Sequence, residues 1–210
     1  MLRAGRGRTG RATDDGVEGR KVRPVPRLET DRLVLRAWRD DDLDPFSQMM
    51  ADADVARFIA GSALSRNDAW RTMATFIGHW SLRGFGFWVV ERKSDGAFLG
   101  RVGLWQPEGW VGMEVGWALA RPCWGNGYAS EAAKASLDYG FRHYPVPKLI
   151  SLIDPDNRAS QRVAERLGET KGAPTTITIF GRTFSADTWQ ITRERWLSHQ
   201  PAAGARPLNP

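Results

Sequence analysis

Cysteine is nearly absent. The 210 residues hold Cys123 alone, so no internal disulfide can form. Histidine is almost as scarce, and His79, His143 and His199 are too scattered for a zinc-ligand spacing, so no metal is expected. No apolar run approaches the roughly 20 residues that cross a bilayer, and the first residues lack the apolar stretch of a secretory signal. These absences lead to the expectation of a cytoplasmic protein without membrane contacts. Acidic residues are sparse at one end: residues 1–27 carry eight Arg and Lys against three acids, a balance of +5 out of +6 for the whole chain. The remainder is close to neutral and has no overall field to draw a polyanion, so any RNA or ribosome contact falls to that tail.

The tail is also poor in apolar residues, and residues 1–26 read as a disordered basic extension, with 200–210 as a second tail. Between them, residues 27–199 form the expected single domain, since a chain with 41% hydrophobic residues can bury one sizeable core. "RLVLRAW" (32–38) alternates as a half-buried strand, and "DDDLDPFSQMMAD" (40–52) reads as a short helix with its acids at the favourable end. Ser65 to Arg83 places Trp70, Met73, Phe76, Ile77 and Trp80 on a helical stripe that Gly84 ends. "FGFWVVERK" and "AFLGRVGLW" around "SDG" predict a hairpin, with "WVGMEVGWALA" (110–120) as the next strand. A helix follows, with Ala129, Ala132, Ala133, Ser136, Leu137, Gly140, Phe141 and Tyr144 on one stripe. "KLISLID" is a buried-type strand and "NRASQRVAERLG" (157–168) a helix; "TTITIFG" and "TFSADTWQITRERW" read as hairpin strands around Gly181. The predicted class is a mixed α/β (α+β) domain with a largely antiparallel central sheet and flanking helices.

The stretch "RPCWGNGYASEA" (121–132) sets Gly125 and Gly127 between a strand and a helix, where they either make a plain turn or let backbone amides cradle a phosphate. It is not the dinucleotide GxGxxG, because the third glycine position is Ser130, and it is not a P-loop, because no Lys-Ser or Lys-Thr follows. Cys123 beside it has no histidine near in sequence and reads as incidental.

"EVGWALARPCWGNGYASEA" followed by "NRASQRVAERLG" resembles motifs A and B of the GNAT N-acetyltransferases, particularly the branch that acetylates N-termini of ribosomal proteins. "LETDRLVLRAW", "DDLD" and "GFWVVERKSDGAFLGRVGL" are similar to the same branch, so the likeness runs from Leu28 to Trp196. It implies the GNAT fold and acetyl-CoA as cosubstrate. The implied contacts run from the strand end (Trp117, Ala118, Leu119) through Trp124, Gly125, Asn126, Gly127, Tyr128 and Ala129, with Asn157 near the pantetheine arm. Two positions depart from the family pattern: Pro122 stands where Gln or Arg is usual, with Arg121 one step early, and Ala164 stands where many members carry the tyrosine that protonates the leaving thiolate.

In the resembling branch a serine occupies the place of Ser160, which makes it the candidate for that role; the alternative is a hydroxyl that merely bonds its own helix. Asn157 is also a good helix N-cap. Glu114 is the candidate base, since strand parity sets it with Gly112, Gly116 and Ala118 on a face with open room that either solvent or a ligand fills. An ordinary Glu near pKa ~4.3 is a feeble base, so burial would have to raise it. Trp105, Trp110 and Trp117 read chiefly as core, with lining of an acceptor pocket as the other reading. Deprotonating a lysine at pH 7 costs about 4.6 kcal/mol and an α-amine about 1 kcal/mol, which favours an α-amine or a weakly basic small-molecule amine as acceptor. The expectation is direct acetyl transfer by a monomer or homodimer; the rival is an inactive CoA-binding or ribosome-associated module.

Overall fold

A computed structural model describes residues 24–179 and 182–199. Most of both predicted tails, and the turn at Gly181, lie outside the described residues. Within them the order is β1 (Leu28–Glu29), β2 (Leu33–Arg36), a 3-10 turn (Asp40–Asp42), α1 (Leu43–Ala51), α2 (Ala53–Ala56), α3 (Arg66–Arg83), β3 (Phe87–Arg92), β4 (Phe98–Trp105) and β5 (Glu114–Leu119). A second 3-10 turn (Arg121–Cys123) leads to α4 (Tyr128–His143), β6 (Lys148–Ile153), α5 (Arg158–Arg166), β7 (Thr170–Ile179), β8 (Arg182–Thr192) and α6 (Arg193–Ser198). The strands form one sheet in the order β1-β2-β3-β4-β5-β6-β8-β7, antiparallel at every pair except β5–β6.

The sheet is forked. β4 and β5 pair along six residues of each strand, from Gly100 opposite Leu119 to Trp105 opposite Glu114, whereas β5 and β6 meet at one rung, Glu114 opposite Ile150. On one face Val102, Leu104, Val115, Leu119 and Leu149 pack under α4 and α5; on the other Phe87, Val89 and Ala118 pack under α1, α2 and α3. The small-residue stripe of α4 lets it approach closely: a Cβ on Gly140 would lie 2.9 Å from Leu149 Cδ1 and 3.2 Å from Leu104 Cδ2.

Several sequence expectations change. β2 is buried on both faces rather than half-buried: Leu33 and Leu35 join the core cluster, and Arg36, its one charge, forks onto Asp42 at 2.7 and 2.8 Å and reaches Glu91. Asp42 is thereby consumed in an ion pair instead of facing the dipole of α1. Trp70 and Ile77 are 50% and 44% exposed, and the buried face of α3 is Ala69, Met73, Phe76, His79 and Trp80. The strand read through Trp196 ends at Thr192, whose hydroxyl accepts from the Arg195 N–H and starts α6. β5 begins at Glu114 rather than Trp110, because Pro107 and Gly109 (φ +76°) turn the chain first.

Candidate active site

The glycine turn is a helix N-terminus without a side-chain cap. Gly125 and Gly127 sit at φ +77° and +78°, the left-handed region that side chains avoid, and Gly127 is the N-cap of α4. Asn126 Nδ2 donates to the Cys123 and Trp124 carbonyls at 3.2 and 2.9 Å, and Trp124 Nε1 donates to the Leu119 carbonyl at 2.8 Å, so the turn is braced by its own side chains. Arg32 donates to the Asn126 carbonyl at 3.1 Å and stacks 4.6 Å over the Tyr128 ring. Glu131, the acid in the first turn of α4, is engaged by Thr30 and Arg32. The first amides of α4 are left to meet an anion along the helix dipole, and Ser130 Oγ is buried beside them with no hydrogen-bond partner among the described residues. These residues fit a pyrophosphate. Arg121 pairs with Asp54 at 2.8 Å, with Asp52 at 4.0 Å, and thereby ties the turn to α2. Burial pushes the Cys123 thiol above its ordinary range, the opposite of an activated nucleophile.

Along β5 the fork carries the remaining candidates. Trp117 reaches across the gap to α5, its Nε1 donating to Ser160 Oγ at 3.2 Å. The Ser160 hydroxyl is thus engaged from β5 rather than spent on its own helix, and its proton stays available to a third group. Asn157 caps α5, accepting from the Ser160 N–H at 3.1 Å. At the rung of the fork Glu114 Oε2 accepts from Trp110 Nε1 at 2.7 Å. Burial raises the Glu114 carboxyl to about 7; the Trp110 bond, the Arg101 charge and the Leu152 N–H each oppose that rise. Glu114 therefore titrates near neutrality, where a general base is most effective. From Glu114 to Leu119 a strand rises about 17 Å, so base, hydroxyl and anion cradle are strung along one strand edge.

The room expected beside Glu114 is partly filled. A Cβ on Gly116 would meet the Phe87 ring at 3.0 Å and Glu114 Oε1 at 3.4 Å, so the glycine admits an aromatic ring against the carboxylate. Phe87 is fixed in turn: its carbonyl accepts from both Trp38 Nε1 and Trp80 Nε1, and its ring stacks on Trp105 at 5.0 Å. Of the three tryptophans read chiefly as core, Trp105 and Trp117 both pack partly buried against it, and Trp117 and Trp110 also bond the two candidate catalytic groups. Two site-neighbouring charges escaped the sequence reading. Glu169, at the exit of α5, is buried and raised to about 8, its Oε1 accepting from Ser151 Oγ at 3.0 Å. Arg101 of β4 lies buried on the Glu114 face, and its signal was legible: an inward-facing charge between Gly100 and Gly103. Among the described residues no group of three or more histidine, cysteine or carboxylate side chains gathers as a metal site, and no helix is long and apolar enough to cross a membrane.

A forked, mostly antiparallel sheet with a glycine turn on the strand before the fork defines an acyltransferase architecture. Residues 32–170 match the family model for the acetyltransferase (GNAT) domain, and the chain belongs to that family. It is 40% identical over 151 residues to YkkB, an uncharacterised protein of Bacillus subtilis strain 168, covering 68% of this chain and 84% of that one. The crystal structure of an acetyltransferase from Agrobacterium tumefaciens superposes with a TM-score of 0.69 at 28% identity, over 80% of this chain and 94% of that one. The fold is also shared with RimL, a ribosomal L7/L12 α-N-protein acetyltransferase in complex with coenzyme A, at TM-score 0.66 and 15% identity, over 80% and 98% of the two chains. The protein is thus an acetyl-CoA-dependent acyltransferase.

Proposed function

We propose that this protein acetylates a primary amine by direct transfer from acetyl-CoA, with Glu114 as general base and Ser160 as general acid. Acetyl-CoA supplies an acetyl carbon activated as a thioester. The Gly125–Ala129 turn and the first amides of α4 hold its pyrophosphate, and the open edge of β5 at Trp117, Ala118 and Leu119 takes its arm. Glu114 removes a proton from the ammonium form of the acceptor, freeing the lone pair that attacks the acetyl carbon. As the carbon–sulfur bond breaks, the Ser160 hydroxyl passes its proton to the departing sulfur and regains one from the nitrogen, which sheds its second proton as the amide forms; Trp117 Nε1, 3.2 Å from Ser160 Oγ, holds the hydroxyl in place. The observation that carries this reading is a carboxyl at the fork's rung, raised to about 7 and oriented by Trp110. A base of that strength suits an α-amine or a weakly basic small-molecule amine better than lysine, whose deprotonation at pH 7 costs about 4.6 kcal/mol.

The test is thiol release from acetyl-CoA with a panel of amines. Glu114→Gln is expected to lower kcat by about 10²-fold or more at pH 7, and Ser160→Ala by on the order of tenfold. Binding of acetyl-CoA without turnover on any amine would overturn catalysis in favour of a binding module. An unchanged rate in Glu114→Gln from pH 6 to 9 would remove Glu114 from the mechanism.

A further inference from the structure

The fold buries two arginines equally, each 8% exposed, and treats them oppositely. Arg36 is saturated by Asp42, Glu91 and the Ala37 carbonyl. Among the described residues Arg101 has no ion pair, and its Nε and Nη1 are buried without a hydrogen-bond partner. Its guanidinium lies 3.8 Å from the centroid of the Phe87 ring and 5.0 Å from that of Phe76. A guanidinium stacked on rings is held in place, but its in-plane N–H groups still require acceptors, and leaving a buried charge unpaired is costly. Burial lowers its pKa to about 10, still charged at neutral pH, with the Glu114 carboxylate as the opposing influence.

Arg101 stands on the same face as that carboxylate. It is opposite Ala118 in the β4–β5 register, its guanidinium packs on the Phe87 ring, and that ring and Glu114 Oε1 both border the Gly116 position. The face thus carries one carboxyl for an ammonium and, buried against the Phe76 and Phe87 rings, one cation without an ion pair among the described residues. An amine that also carries a carboxylate matches this pair in sign at both ends. A polyamine would instead bring a second cation towards Arg101, and a plain alkylamine would leave its N–H groups unmet.

We propose that Arg101 is an anchor for a carboxylate of the acceptor, so that the substrates are carboxylate-bearing amines. This rests on the acetyl-transfer reading above and narrows its acceptor class. The carboxylate can belong to a free α-amino acid or to an acidic side chain at a peptide N-terminus. In both cases it is the planar, two-oxygen group that a guanidinium edge pairs with best.

The test compares each α-amino acid with its own carboxamide, and peptides starting with Asp or Glu with those starting with Asn or Gln, in wild type and Arg101→Met. Turnover is measured at pH 9, where Glu114 is ionised in both proteins, and binding by the melting shift each compound gives in the presence of coenzyme A. Arg101→Met is expected to fold with an unchanged or higher melting temperature, since an apolar side chain replaces an unpaired charge. Carboxylates are expected to exceed their amides at least tenfold in kcat/KM, in the amino-acid or the peptide series, and Arg101→Met should collapse that ratio towards one. The ratio is insensitive to any shared effect on Glu114. Acetylation with no preference for carboxylates, or with a preference that survives Arg101→Met, overturns the anchor and leaves acetyl transfer standing. Arg101-dependent binding of carboxylates without turnover retains the anchor and overturns transfer to these amines; no binding and no turnover overturns both.

Discussion

At the scale of single residues, the site works by opposing influences on one carboxyl. Desolvation lifts Glu114 towards 7, and the indole N–H of Trp110 restrains it by favouring the charged form. Trp110→Phe removes that restraint, so the acid limb of the kcat/KM profile is expected to move above its wild-type midpoint near 7. Activity should fall at pH 7 and recover by pH 9, as a pH-rate series on both proteins would show. An unmoved limb would mean that another group sets it. The sequence carried Glu114 itself, because strand parity isolates a carboxylate among glycines. It did not carry the indole bond, since Trp110 precedes the strand and its direction is set by the turn at Pro107–Gly109. Nor did periodicity distinguish a tryptophan that packs, such as Trp105, from one that donates, such as Trp117, because both need an apolar surface for the ring.

At the scale of elements, β4 approaches β3 tightly at Gly103, opposite the Phe87 whose ring packs on Arg101. A Cβ on Gly103 would lie 2.2 Å from the Gly86 carbonyl oxygen and 2.6 Å from Phe87 Cα, and backbone cannot step aside as a side-chain tip can. Gly103→Ala is expected to cost about 3 kcal/mol or more, by analogy with severe overpacking, and to lower activity through Phe87. Chemical denaturation beside acetyl-CoA turnover would measure both, and a change under about 0.5 kcal/mol would contradict so tight an approach. The long elements were readable because their periodicity and caps agree: α3 runs from Ser65, whose hydroxyl accepts from the Asp68 N–H, to Gly84 in the left-handed region. The short ones were not. α2 has four residues, and α6 begins where a β-rich run meets a threonine cap, so local pattern favoured extending β8. The burial of β2 on both faces depends on an ion pair closed by a separate turn, which alternation does not record.

At the scale of the whole molecule, Glu114 and Glu169 place two acids near the fork whose pKa values burial raises, with the Glu114 charge adding to the rise at Glu169. A carboxyl whose folded pKa lies above its unfolded value binds its proton more tightly in the native state. Its contribution is therefore present at acid pH and is lost as pH rises from about 4.5 through about 8. Stability should decline across that window, and Glu169→Gln should flatten the decline by on the order of a few kcal/mol at most. Melting curves at pH 5, 7 and 9 would decide it, and an equal slope in the variant would assign the effect elsewhere.

The single rung between β5 and β6 also bears on how the molecule breathes. β2–β5 share long ladders, and β6–β8 share theirs, but one register pair joins the two groups across the sheet. An arm lying in the gap would act as an added strand, uniting two plates that otherwise depend on α4 and α5 above them. Hydrogen exchange should then find β6 amides less protected than those of β4 in the free protein, with coenzyme A narrowing the difference and raising the melting temperature. In that sense the cosubstrate would be a temporary piece of the fold, and each release of product would return the sheet to its looser form.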